Sequence, residues 1–170
     1  MNYIDIEFDK LTRSIENIVT GDVFDTELVL LNSKNKNEIR KYDWLFDWHS
    51  QLDLIDREVY KLTIIGNPNV IQGLISFSDR GDHIYINLIE SSEFNRGKNK
   101  IYYGVPGNLV AFVCKVSFEK GYDGFVAFDA KTNLIKHYQE TISATHFKGT
   151  RMFIKPDSAL KLVNQYFKQV

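Results

Sequence analysis

Apolar and polar residues along this chain recur with two periods, and the change from one to the other locates its elements. Near the start, Ile4, Ile6 and Phe8 alternate with polar neighbours, so a strand is expected over residues 3–8. Asp9 could cap a following helix that runs to Thr20 and stops at Gly21. Residues 24–31 give a clearer strand, and the charged stretch 34–41 predicts a short surface helix or loop. Residues 42–52 fit both periods: Trp44, Phe46 and Trp48 alternate, while Trp44, Leu45, Trp48 and Leu52 suit one helix face. Strands follow at 59–65, 70–77 and 83–89. They are separated by Gly66-Asn67-Pro68-Asn69 and Asp79-Arg80-Gly81-Asp82, turn chemistry that joins them as an antiparallel meander.

The second half takes the helical period. Leu109, Phe112, Val113 and Val116 form an apolar stripe on a helix over 108–120 of about four turns, which Gly121 can close in a left-handed conformation. Residues 124–129 open on a short apolar run, as expected of a strand covered on both faces. A second helix over 132–140 places Leu134, Ile135 and Tyr138 on one side. A strand over 146–154 and a helix from Pro156 complete the order. A right-handed crossover from the strand ending at Ile89, through the 108–120 helix, makes the 124–129 strand its parallel neighbour. The expected architecture is α/β of the α+β kind, a mixed and mostly antiparallel sheet flanked by helices.

Bulk properties narrow the function. The chain has 170 residues, 44% hydrophobic and 25% charged, with formal net charge −1. Those values suit one globular domain over residues 1–170 and supply no global field to attract nucleic acid or an anionic membrane. No apolar run is long enough to span a bilayer, and the acidic N-terminus does not resemble a secretion signal, so a cytoplasmic location is expected. Cys114 is the sole cysteine, and the histidines are scattered, so neither a disulfide framework nor a metal site is expected.

The candidate chemistry lies in the loop Tyr103-Gly104-Val105-Pro106-Gly107-Asn108-Leu109, which joins a strand to a helix. A helix N-terminus offers unpaired N–H groups and partial positive charge, and glycines let a phosphate approach the backbone. The order strand, glycine-bearing loop, helix, strand, helix resembles the coenzyme A-binding core of the GNAT-superfamily N-acetyltransferases over residues 59–154. Gly104-Val105-Pro106 occupies the place of that family's Gly-x-Gly/Ala, although Pro106 replaces the second small residue and Ile101 the usual basic one. Lys131 to Tyr138 is similar to the family's second helix, whose tyrosine lies near the coenzyme A sulfur.

The resemblance implies an acetyl-coenzyme A-dependent N-acetyltransferase, without a metal, acting on a small-molecule or peptide amine. Backbone groups of Leu88 and Ile89 would meet the pantetheine arm. The amides of Gly104, Val105, Gly107, Asn108 and Leu109 would meet the pyrophosphate. Glu90, at the strand end, is the candidate general base and Tyr138 the candidate proton donor to the departing thiolate. Arg96, Lys98 and Lys100 form a charged loop from which one cation could reach a phosphate. Asp129 could orient the amine or cap the next helix, and the Trp44–Trp48 cluster suits a core. A non-catalytic GNAT-like domain that binds an acyl-coenzyme A or a protein is the alternative. Neither the acceptor nor the oligomeric state can be read from the sequence.

Overall fold

A computed structural model describes residues 2–167. Its strands are β1 (Ile15–Asn17), β2 (Val23–Phe24), β3 (Thr26–Leu31), β4 (Glu58–Ile64), β5 (Gly73–Asp79), β6 (Ile84–Ser91), β7 (Tyr102–Tyr103), β8 (Val126–Asp129), β9 (Thr145–Lys148) and β10 (Arg151–Ile154). Its α-helices are α1 (Trp48–Asp53), α2 (Val105–Glu119), α3 (Ile135–Thr141) and α4 (Pro156–Tyr166). The main sheet has seven strands in the order β3-β4-β5-β6-β8-β10-β9. Every neighbouring pair is antiparallel except β6 with β8, which α2 connects as a parallel crossover.

Two apolar layers cover this sheet. On one face α2 and α4 pack over Leu62, Ile75, Phe77, Ile84, Ile86, Ile89, Val126 and Phe128. There α2 buries Val105, Leu109, Val113 and Cys114. Gly73 lets α2 come this close, because a Cβ at that position would lie 2.9 Å from Leu109 Cδ1 and 3.0 Å from Val105 Cγ1. On the other face α1 lays Trp48 and Leu52 over Leu31, Val59, Leu74 and Leu88, with Trp44 packed alongside. The ambiguous stretch 42–52 is thus resolved as a 3₁₀ turn followed by α1, begun by the Asp47 side chain accepting from Ser50 N–H.

The N-terminal expectations are corrected. Residues 3–8 form no strand beyond a single parallel bridge between Ile4 and Ala130, and residues 9–20 are not helical. Instead β1 lies between β2 and β7 in a small antiparallel ribbon, pairing Glu16 with Tyr103 and Asn17 with Tyr102. Local alternation and a cap residue were outweighed by tertiary pairing that sequence periodicity cannot register. The strand expected over 146–154 is a hairpin, β9 and β10, turning at Gly149, whose φ of 58° is left-handed. The long helix begins at Val105, three residues before the expected start, and Gly121 ends it with a left-handed φ of 83°.

Leu109 is fully buried where α2 meets the sheet. Leu109→Ala should therefore cost about 3 kcal/mol through lost transfer energy and a residual cavity, read as a lower denaturant midpoint with unchanged slope.

Candidate active site

The two parallel strands at the centre of the sheet stay together only briefly. Ile84 pairs with Val126 and Tyr85 with Ala127, and no further pairing follows. A bulge begins the separation: Ser76 faces Leu88 but Phe77 faces Ile86, so Asn87 is the extra residue in β6. Past it, β6 shows a free backbone edge and its side chains divide. Leu88 turns to the α1 layer, Ile89 to the α2 layer, and Glu90 back toward α1.

A cleft of about 420 Å³ occupies the gap. Ile89, Glu90 and Ser91 form one wall, and Asp5, Ile6 and Glu7 the other. The second wall exists because the N-terminal segment docks on the freed edge of β8: Ile4 N–H donates to Asp129 O (2.7 Å) and Lys131 N–H to Ile4 O (2.9 Å). Lys131, Leu134 and Pro106 close the ends. Two polar atoms in the cleft lining, Ser91 Oγ and Arg96 Nε, are buried without a hydrogen-bond partner. Such groups are costly unless a ligand or water satisfies them. Free strand edge and orphaned polar atoms together fit an amide-bearing chain such as a pantetheine arm.

Glu90 is buried, and its carboxylate is heavily engaged. It accepts from Leu45 N–H (2.8 Å), Phe46 N–H (3.2 Å) and the Trp48 indole (2.9 Å), with Arg96 Nη1 at 3.8 Å. Its evident work is to hold the approach to α1 against β6. Tyr138 is fully buried on α3 and its hydroxyl donates to Ile6 O (2.7 Å) and Ile4 O (3.2 Å). Burial above all, and then Asp5 and Glu7, push its pKa up, so the phenol stays protonated. Phe8 N–H donates to His137 Nε2 (2.8 Å), so α3 holds this segment at two points. Neither residue's name nor its spacing indicates these partners.

The start of α2 is covered by the same segment. Gly104 N–H donates to Asp9 Oδ1 (3.1 Å), and Asp9 also pairs with Lys100 (3.1 Å). Gly104 has a left-handed φ of 90°, and a Cβ there would strike the Thr12 hydroxyl and lie 2.5 Å from Ser14 O. A Cβ on Gly107 would lie 2.8 Å from Tyr166 Cζ and 3.0 Å from Leu11. Pro106 has no N–H, and Asn108 N–H already donates to Gly104 O (2.9 Å). Val105, Asn108 and Leu109 are wholly buried. The glycines do permit close approach, but the approaching group is the chain itself.

Asp129, at the end of β8, accepts from the Tyr85 hydroxyl (2.5 Å), Thr150 Oγ1 (2.8 Å) and Arg151 Nη2 (3.1 Å). Burial alone would raise its pKa, but these donors hold it below the usual carboxylate value. Tyr85 is pushed up to about 12, by burial first and then by Asp129. Among the described residues no cluster of three or more His, Cys, Asp or Glu could hold a metal, and no helix is long and apolar enough to cross a membrane.

Tyr138→Phe keeps the ring but leaves Ile6 O without this donor, while Ile4 O keeps Lys131 N–H. A loss of about 1–2 kcal/mol is expected, with faster amide exchange at Ile4 and Phe8. Because Asp129 titrates lower when folded, its contribution is present above about pH 4 and lost as pH falls through the folded value. Asp129→Asn should flatten that part of an acid-unfolding curve.

No known protein family and no curated protein matches the chain by sequence. Solved structures do match it by shape. One described as a bacterial toxin is 9% identical, with 87% of this chain and 100% of that chain covered and a TM-score of 0.59. A tyrosine-to-phenylalanine mutant of the toxin AtaT, bound to the C-terminus of the antitoxin AtaR, is 12% identical over 85% and 99%, with a TM-score of 0.55. A GNAT-family acetyltransferase from Staphylococcus aureus Mu50 is 12% identical over 77% and 99%, with a TM-score of 0.52. At these identities the likeness concerns the fold, and the strand order, crossover and parted strands described above agree with it. The chain has the fold of the GNAT acetyltransferases.

Proposed function

We propose that the chain is an acyl-coenzyme A-dependent acyltransferase that acetylates an amine. The observation that carries this reading is the parting of β6 from β8, beside a cleft with two unsatisfied buried polar atoms. Acetyl-coenzyme A supplies an activated thioester, which a neutral amine attacks with loss of the thiol. The free edge at Leu88 and Ile89 would hold the amides of the arm, with Ser91 Oγ and Arg96 Nε as further partners. Arg96, Lys100 and Lys131 around the cleft supply positive charge for phosphates. Asp5, Glu7 and Glu90 in the same lining favour an acceptor that arrives as an ammonium ion.

Within this reading Glu90 and Tyr138 act as positioning residues. Glu90 fixes Phe46 and Trp48 beside the cleft, and Tyr138 fixes Ile6 in its wall. The Glu90 carboxylate is occupied by three donors of the approach to α1, so proton removal from the amine falls to water in the cleft. Positioning can supply most of the rate, because a thiol is a good leaving group.

A second reading, a GNAT-like domain that transfers nothing, is favoured by the contact of Asp9 with Gly104. In that reading the helix start is permanently occupied by the chain. Titration calorimetry with acetyl-coenzyme A, beside thiol release with a panel of amines, separates the two. Binding with thiol release for at least one amine is expected, and binding without release from any amine would favour the second reading. Asp9→Asn removes the anion at the helix start and is expected to tighten acetyl-coenzyme A several-fold. Absence of binding in both proteins would overturn the acyl-coenzyme A reading.

A further inference from the structure

A second cavity, of about 440 Å³, opens on the α1 face of the sheet beside β6. Its lining includes Arg57, Arg80 and Arg151, together with His83, Tyr85 and Asn87, and contains no carboxylate. The guanidinium groups of Arg80 and Arg151 both stack on the Tyr85 ring, 5.0 and 5.1 Å from its centroid. Tyr85 in turn donates to Asp129, so the ring is fixed and the two cations are set around it. Asp129 neutralises Arg151. Arg80 has no carboxylate within ion-pair distance among the described residues, and Arg57 has only exposed Asp56 at 3.7 Å. Arg57 Nε is buried and has no hydrogen-bond partner.

Three guanidinium groups line one cavity, where Arg80 lacks an ion-pair partner among the described residues and Arg57 Nε lacks a hydrogen bond, and their planar donors match oxyanions in bidentate geometry. Two separate sets of hydrogen bonds brace the residues around the cavity. Asn87 donates to Ser78 Oγ, Ser76 to Gln51 Oε1 on α1, and Arg57 to the same Gln51 oxygen. Asn87 and Glu90 are three residues apart on β6, about 10 Å along the strand. A ligand anchored at the arginines could therefore present an amine to the parted strands.

We propose that this arginine-lined cavity binds the oxyanion, phosphoryl or carboxylate, of an anionic acceptor whose amine reaches the cleft. The acceptor assignment rests on the acyltransferase reading, while the anion site can be tested without it. Arg80 is exposed, so its removal leaves the core intact, whereas Arg57 also donates to buried Gln51 on α1, so the single Arg80 variant decides the matter if the double variant is destabilised.

The experiment is thermal-shift titration of the full chain, without acetyl-coenzyme A, using inorganic phosphate and succinate against chloride at matched ionic strength. Saturable stabilisation by phosphate or by succinate is expected beyond that from chloride, and the effective anion identifies which oxyanion the site takes. Arg80→Gln should weaken that anion at least fivefold, and Arg57→Gln with Arg80→Gln should abolish saturation while the far-ultraviolet circular dichroism is unchanged. Stabilisation no greater than chloride's, or equal affinity in the double variant, would overturn the anion site. Failure to bind acetyl-coenzyme A would overturn the acyltransferase reading instead, leaving the anion result standing.

Discussion

The separation of β6 from β8 after two residue pairs governs the rest of the molecule. A central sheet edge that opens in this way exposes N–H and C=O groups inside the protein, and such groups must find partners. On the β8 side the partner is internal, Ile4, which pairs with Asp129 and Lys131. On the β6 side no such segment follows among the described residues, and a cleft remains with Ser91 Oγ and Arg96 Nε unsatisfied. The asymmetry makes one half of the gap structure and the other half a place for a ligand. The bulge at Asn87 adds a second consequence, because it shifts the alternation by one residue, so that Ile89 rather than Leu88 joins Ile84 and Ile86 in the α2 layer and Glu90 turns toward α1.

The N-terminal segment has a structural and an electrostatic role at once. Tyr138 and His137 on α3 hold residues 4–8, while Tyr166 at the end of α4 accepts from Thr12 N–H (3.0 Å). Between those anchors Asp9 places a carboxylate at the start of α2, where the partial positive charge of a helix favours an anion. A phosphate and Asp9 would compete for the same donor. The arginine-lined cavity follows a different logic: there the cations are gathered without an internal anion to satisfy all of them.

Sequence made the centre of the fold legible and left its N-terminal border obscure. The meander was readable because Gly66-Asn67-Pro68-Asn69 and Asp79-Arg80-Gly81-Asp82 break strongly apolar runs, and α2 because Leu109, Phe112, Val113 and Val116 keep one stripe. The crossover order then implied the parallel pair. Residues 3–20 carry local signals, alternation and a capping aspartate, that lost to contacts with β7, β8 and α3 more than eighty residues away. Gly104 and Gly107 did signal a close approach, but a glycine does not specify what approaches it. Glu90 and Tyr138 were picked out by position, whereas their hydrogen-bond partners come from residues 4–6 and 45–48 and leave no local trace. Arg57, Arg80 and Arg151 belong to three separate parts of the chain, and only the folded sheet brings them together.

Amide hydrogen exchange with and without acetyl-coenzyme A tests the central claim most directly. If the free edge of β6 receives the pantetheine arm, protection should rise at the amides of residues 88–91. The β3 edge at the far side of the sheet should be unchanged. Unaltered exchange over 88–91 at saturating acetyl-coenzyme A, or protection confined to another region, would contradict the account.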